Sequence, residues 1–218
     1  MSLRNSRSRT AVLDPLTVRI LAALMAVASI VGIASFRRGS AGGGRSLEFR
    51  AKDNPPAFLQ VVWPIVNLVG STYPFLAAIL PDVAYASPLN VGFPFDAVFQ
   101  VAGLLLWGGG GLLVVWSARV LGRFMVVQIA ISKDHEIVRT GPYARIRHPT
   151  YAGAMAMSIG IALLFLSVAL VAVAILCVLI ANYRARKEER LLASPNGFGE
   201  AYRAYMATTG RFLPRRWV

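Results

Sequence analysis

The sequence predicts an all-α, polytopic membrane protein with about five transmembrane helices. Of its 218 residues, 56% are hydrophobic, and the mean hydropathy of +0.57 is well above that of a soluble domain. The apolar residues come in blocks long enough to cross a bilayer, separated by basic or Gly/Pro-rich segments. Most of the 23 Lys and Arg residues lie in segments 37–56, 119–150 and the C-terminal tail, which five crossings place on one side. The positive-inside rule makes that side the cytoplasm.

The first 118 residues contain three of the apolar blocks. A first helix is predicted from residue 15 to about residue 36, and the lack of an A-x-A site argues against a cleaved signal peptide. A second helix is predicted over 57–80, in which Pro64 and Pro74 should kink or interrupt the helix. A third follows over 96–118.

Two features of this half of the chain bear on topology and packing. The segment 81–95 has turn residues but no Lys or Arg, which predicts a loop on the side opposite the basic segments. The glycine run 108–111 lacks the Lys-Ser/Thr of a phosphate loop and lies in apolar sequence. We therefore expect close helix packing or a locally loosened helix there.

The apolar block at 152–181 is too long for one transmembrane helix. About thirty residues at ~1.5 Å each give about 45 Å, against a hydrocarbon core of ~30 Å. Two helices that turn near residues 166–168 fit better. Ala152, Ala156 and Gly160 at four-residue spacing give the first of them a small face for packing.

Residues 141–153, GPYARIRHPTYAG, form a polar hinge at the start of this block. Its tyrosine, arginine and histidine side chains lose water at the mouth of an apolar segment, and a partner or a ligand has to offset that cost. A helix cap or an interfacial aromatic belt would account for any one of them, but their concentration favours a site. The hinge carries Tyr143, Arg145, Arg147, His148 and Tyr151.

The C-terminal tail is the second informative stretch. Arg184 and Glu188 are four residues apart, which puts them on one helix face, either as a solvated ion pair or as part of a site. The helix should break at 195–197. A short amphipathic helix over about 198–206 should then cover the hinge.

Composition also limits the function classes. The net charge of +13 is explained by loops that face anionic lipid, so we expect no nucleic-acid partner. Cys177 is the single cysteine and lies in apolar sequence, which excludes an intramolecular disulfide. With two histidines and no cysteine pair, no metal site is expected.

Several motifs resemble the isoprenylcysteine carboxyl methyltransferase family and its relatives, which include phospholipid methyltransferases. They are HEIV, GPY, RHPTY, an R-x-x-x-E-E segment, and FGEAYRAY followed by a proline, in this order within residues 119–214. The resemblance implies a membrane-embedded enzyme that uses S-adenosyl-L-methionine and releases S-adenosyl-L-homocysteine. It divides the chain into a membrane region of three helices, 1–118, and a methyltransferase-like region with a helical hairpin and a tail, 119–218.

The resemblance also implies a role for particular residues. Arg184 matches the arginine that meets the substrate. The longer SPNG connection in the tail leaves open whether Glu188 or Glu189 contacts the cofactor. The implied cofactor contacts are Gln128, His135, Glu136, Ile137, Val138, Tyr143, His148, Pro149, Thr150, Tyr151 and Glu188.

These residue types suit methyl transfer to a lipophilic acceptor that arrives from the bilayer. A carboxylate acceptor, as in an isoprenylcysteine, is already ionised and needs no base, so positioning and electrostatics suffice. An amine acceptor must lose a proton, which would involve His135, His148 or a glutamate. The alternatives are an NADPH-dependent sterol-type reductase with similar RHP motifs, and a non-catalytic membrane assembly factor. The sequence names neither the acceptor nor the oligomeric state.

Overall fold

The described part of the chain is almost entirely helical. The computed structural model describes residues 15–39, 49–52, 56–80, 96–125, 129–132 and 136–215. The five predicted apolar helices are present there, and α1 and α3 each extend three residues beyond the predicted end. The helices are α1 (Pro15–Gly39), α2 (Ala57–Ile79), α3 (Asp96–Leu121), α4 (Pro149–Phe165), α5 (Val168–Leu192) and α6 (Glu200–Thr208).

Helix length and surface composition match a polytopic membrane protein. Within the described ranges, α2, α3 and α5 are long and apolar enough to cross a membrane. The segments Ile20–Val31 in α1 and Pro149–Phe165 are shorter apolar stretches, and 17 residues is near the lower limit for a crossing. Large apolar side chains such as Leu105 and Leu112 are more than 70% exposed, as expected for contact with lipid tails.

Helix α2 is continuous through both of its prolines. Pro64 and Pro74 lie inside the helix, so the predicted interruption does not occur. Asn67, three residues after Pro64, also donates its Nδ2 to the Trp63 carbonyl oxygen at 2.8 Å.

The predicted turn between α4 and α5 is confirmed. Leu166 is in the left-handed region at φ 49°, and Ser167 precedes the first residue of α5. Gln100 of α3 donates its Nε2 to the Leu164 carbonyl oxygen at 3.3 Å. This bond satisfies one of the carbonyls that the end of α4 leaves without a helical partner.

Glycines bring α3 and α4 into close contact. A Cβ atom on Gly110 would lie 2.6 Å from the Gly153 carbonyl oxygen, and one on Gly160 would lie 2.6 Å from the Gly103 carbonyl oxygen. The predicted packing role therefore holds for Gly110 within the run 108–111, and for Gly160 within the predicted face of α4. Because α4 carries the hinge, this contact fixes the hinge against α3.

Gly153→Ala should destabilise the protein by about 1–3 kcal/mol, the usual range for overpacking a close contact. Its Cβ would lie 2.6 Å from the Gly110 carbonyl oxygen and 2.7 Å from Val114 Cγ2. Gly109→Ala is the matched control, because its Cβ would meet nothing within 4 Å. Thermal unfolding in detergent measures both, and equal midpoints for the two variants would contradict this account of the packing.

Short strands join two of the basic segments. Strand β1 (Phe49–Lys52) pairs antiparallel with β2 (Ala130–Ser132), a pairing that was not predicted from the sequence. A parallel bridge between Ile146 and Gly210 joins the hinge to the tail. The described parts of the three basic segments are therefore joined to one another, as expected if the segments share one side of the helices. The predicted loop at 81–95 lies outside the described residues, and the division of the chain at residue 118 stays a prediction.

Candidate active site

The hinge (residues 141–153) consists of a 3-10 turn, a short extended stretch and the first turn of α4. The turn is Gly141–Ala144, in which Gly141 has φ +57° and Pro142 and Tyr143 are buried. Pro149 occupies the first turn of α4, where its missing N–H costs no hydrogen bond. The hinge thus presents its side chains from a backbone that proline and glycine hold in place.

The tail is bonded to the hinge through its backbone. Arg147 N donates to the Gly210 carbonyl oxygen at 2.8 Å, His148 N to that of Arg211 at 3.0 Å, and Gly210 N to that of Arg145 at 3.1 Å. The prediction that the tail covers the hinge is confirmed, although α6 begins two residues later than predicted.

Tyrosines complete the contact between α6 and the hinge. Tyr205 Oη donates to the Tyr143 carbonyl oxygen at 2.6 Å, and Tyr143 Oη lies 3.5 Å from Thr150 Oγ1. Burial raises the pKa of Tyr143 and of Tyr205 to about 12 in each case. Both phenols are therefore neutral at physiological pH and can act as hydrogen-bond donors.

Glu189 forms a buried clamp between the hinge and the tail. Its Oε1 accepts from Arg147 Nε at 2.9 Å, and its Oε2 accepts from Arg211 Nη2 at 2.6 Å. Arg147 also donates through Nη1 to the carbonyl oxygens of Met206, at 3.1 Å, and Thr209. The Glu189 side chain is 4% exposed and that of Arg147 is 8% exposed, so this charge pair is desolvated and depends on both partners.

Glu188 points into a second cluster. Tyr151 Oη donates to Glu188 Oε1 and accepts from Arg184 Nε at 3.1 Å, so the phenol lies between the acid and the guanidinium. His148 Nδ1 lies 3.4 Å from Glu188 Oε2, and its ring stacks on Tyr151 at 5.6 Å between centroids. Arg184 and Glu188, four residues apart on α5, thus belong to a partly buried network that includes the hinge.

His148 lies between the two glutamates. Its Nε2 is 3.3 Å from Glu189 Oε1, but the contact lacks hydrogen-bond geometry. Burial by itself lowers the pKa of His148, but the adjacent Glu188 and Glu189 outweigh burial and raise the pKa above 6.5. The imidazolium form therefore persists to higher pH than in a free histidine.

This arrangement predicts how stability depends on pH. A histidine with a raised folded-state pKa contributes stability that is fully present below the ordinary value of 6.5 and is lost as the pH rises through the folded-state pKa. The excess thermal stability of the wild type over His148→Gln should therefore shrink as the pH is raised from about 6 to about 9. A difference that stays constant over this range would mean that folding does not raise the pKa of His148.

One cavity of about 650 Å³ joins the two halves of the chain, with polar side chains at the hinge and apolar ones toward the membrane helices. Its volume is in the range that holds a cofactor-sized ligand. The polar part includes Glu136, His148, Tyr151, Arg184 and Glu188. The apolar part includes Leu68 of α2, Val114 of α3, and Ala154, Met157 and Ile161 of α4.

Most of the residues predicted from the sequence line this cavity. Pro149 is buried at the start of α4 and is not among the lining residues. Gln128 and His135 lie outside the described residues, so their predicted roles stay predictions. The predicted residues that do line the cavity are Glu136, Ile137, Val138, Tyr143, His148, Thr150, Tyr151, Arg184 and Glu188.

Other lining residues were not predicted. Trp63 and Asn67 reach the cavity from α2, and Tyr202 and Tyr205 reach it from α6. The tyrosines belong to the FGEAYRAY motif, so their aromatic spacing was a usable signal. Trp63 had no signal, because no local pattern marks one tryptophan of an apolar helix as facing a site.

The fold and the site define a polytopic helical membrane protein with a buried polar cluster at one end of an apolar cavity. Residues 98–195 match the family model for phospholipid methyltransferase. This segment is therefore similar to the membrane superfamily of isoprenylcysteine and phospholipid methyltransferases. The match runs from α3 to just past α5, a little under half of the chain. No curated protein matches the sequence.

Proposed function

We propose that this protein transfers a methyl group from S-adenosyl-L-methionine to a lipophilic acceptor, with the carboxylate of an isoprenylcysteine-type molecule as the preferred acceptor. One observation carries this proposal. Arg184, which is 5% exposed, and the Glu188 carboxylate flank Tyr151 where the polar part of the cavity meets the apolar part. A cation and an anion at this junction suit a lipophilic acid and a sulfonium cofactor.

The lining of the cavity fits such a cofactor. S-adenosyl-L-methionine, when bound, supplies an electrophilic methyl group on a sulfonium. The Glu188 carboxylate is suited to accept hydrogen bonds from amino or ribose groups. Tyr143 and Tyr202 offer aromatic faces, and the segment 136–138, which is neither helix nor strand, offers backbone donors and acceptors at the cavity wall. These groups make the polar end of the cavity the cofactor half.

The remaining residues would bind and orient the acceptor. A guanidinium binds a carboxylate through two parallel hydrogen bonds, which fixes the orientation of the attacking oxygen. Tyr151 holds Arg184 through its hydroxyl, and Arg184 is buried, which strengthens its electrostatic contacts. Because the carboxylate is already ionised, no residue has to remove a proton, and the chain contributes positioning.

A phospholipid amine is the second candidate acceptor, and the match to the phospholipid methyltransferase family favours it. An amine has to lose a proton around the methyl transfer. Glu188 contacts Tyr151 and His148, and it is the group that we assign to accept this proton. The same family match gives no support to the reductase or to the assembly factor.

We further propose that the site faces the cytoplasm. The hinge and the tail lie on the side where the three basic segments meet, and the positive-inside rule assigns such a side to the cytoplasm. The acceptor would then reach the site from the bilayer, through the apolar part of the cavity.

A binding and transfer experiment on purified protein tests the proposal. S-adenosyl-L-homocysteine should bind saturably in calorimetry, and NADPH should not. With a donor labelled in its methyl group, N-acetyl-S-farnesylcysteine should give a base-labile methyl ester. Phosphatidylethanolamine in mixed micelles is the rival acceptor, and its N-methyl product resists base. Binding of NADPH without binding of S-adenosyl-L-homocysteine would refute the proposal. A base-stable methylated lipid would show that the acceptor is the amine.

A further inference from the structure

Helix α2 supplies a wall of the cavity although it lies before residue 98, where the family match begins. Trp63, Asn67 and Gly70 follow each other at spacings of four and three residues, which places them on one face of α2, and all three line the cavity. The least diagnostic part of the sequence therefore contributes directly to the site.

Trp63 makes the most specific contacts on that face. The guanidinium carbon of Arg184 lies 5.6 Å from the centroid of the Trp63 ring. The same ring meets Tyr151 edge-on, with centroids 5.7 Å apart and planes at 88°. One indole therefore contacts both Arg184, which we assign to orienting the acceptor, and Tyr151, whose hydroxyl accepts a hydrogen bond from Arg184.

The chemistry of the contact explains why an aromatic residue suits this position. The face of an indole attracts a cation within about 6 Å of its centroid, and the attraction grows as the site is desolvated. It neither neutralises the cation nor occupies its N–H donors, whereas a carboxylate would do both. The contact can therefore hold the guanidinium in place and leave its charge for an anionic ligand.

We propose that Trp63 is a positioning residue that fixes the Arg184 guanidinium for the carboxylate of the acceptor. This inference rests on the proposed function. It assigns to α2 a part in choosing the acceptor, because a guanidinium held in one orientation favours a planar anion over a neutral ester or an amine.

The test compares Trp63→Leu and Trp63→Phe with Trp116→Leu. Trp116 is 53% exposed on α3 and is not among the lining residues, so it controls for the loss of a tryptophan. The probes are N-acetyl-S-farnesylcysteine and its methyl ester for binding, the acid for turnover, and S-adenosyl-L-homocysteine for the cofactor half.

For Trp63→Leu we expect kcat/KM for the acid to fall roughly ten-fold, the size of a desolvated cation–π contact, mainly through KM. The preference for acid over ester should fall with it, whereas binding of S-adenosyl-L-homocysteine should stay within about two-fold, since Arg184 is not assigned to the cofactor. Trp63→Phe should recover part of the loss, and Trp116→Leu should match the wild type.

Two results would overturn the inference. The first is a Trp63→Leu protein that keeps the wild-type preference for acid over ester. The second is equal loss of acid and cofactor binding in that variant without recovery in Trp63→Phe, which is what a purely structural role predicts. Failure of the proposed function looks different, because the wild type itself would then bind the ester as well as the acid, or bind no cofactor product.

Discussion

Glu189→Gln should destabilise the folded protein by about 3 kcal/mol, whereas its neighbour Glu188→Gln should chiefly abolish cofactor binding. Glu189 is the anionic partner of Arg147 and Arg211, and its neutralisation leaves the buried Arg147 without a counter-charge. Glu188 faces the cavity and contacts Tyr151 and His148, so a glutamine there keeps an acceptor oxygen but loses the charge. The same change from Glu to Gln at two adjacent positions should therefore lower stability in one case and cofactor binding in the other.

Thermal unfolding and calorimetric titration with S-adenosyl-L-homocysteine, on the same preparations, separate the two effects. Limited proteolysis adds a third readout, since loss of the Glu189 clamp should release the segment around Arg211 and expose it to trypsin. If Glu189→Gln kept wild-type stability and bound the cofactor product more weakly than Glu188→Gln, the cofactor contact would be Glu189. That is the alternative which the sequence left open.

The helical framework could be predicted from the sequence because the bilayer imposes a length on each helix. The turn at Leu166 followed from the number of apolar residues between the hinge and Arg184, although a left-handed leucine is not a usual turn marker. The small sheet of β1 and β2 could not be predicted, since strands of four and three residues carry too little periodicity to detect. The sequence left open whether Pro64 kinks or interrupts α2, because a local pattern does not show what bonds to the carbonyl that a proline frees.

Site residues that depend on local spacing could be predicted from the sequence, whereas those that depend on tertiary contacts could not. The spacing of Arg184 and Glu188 placed both on one face of α5, and both line the cavity. The separate role of Glu189 was not visible, because neighbours on a helix point about 100° apart and its partners are more than twenty residues away in the chain. Pairing of the hinge with Gly210 likewise depends on tertiary contact.

Arg184→Ala should lower kcat/KM for the prenylcysteine acid on the order of 100-fold, as expected for the loss of charge-assisted hydrogen bonds worth about 2–3 kcal/mol. During transfer the carboxylate loses its negative charge, so a cation beside it stabilises the bound acid at least as well as the transition state. Most of the loss should therefore appear in KM, and any fall in kcat reports lost orientation. Arg184→Lys keeps the positive charge but loses the planar pair of N–H donors. Its kcat/KM should therefore lie between those of the wild type and Arg184→Ala. An unchanged KM for the acid in Arg184→Ala would exclude this residue from acceptor binding. An equal loss of S-adenosyl-L-homocysteine binding would point to a structural role, through Tyr151 and Trp63.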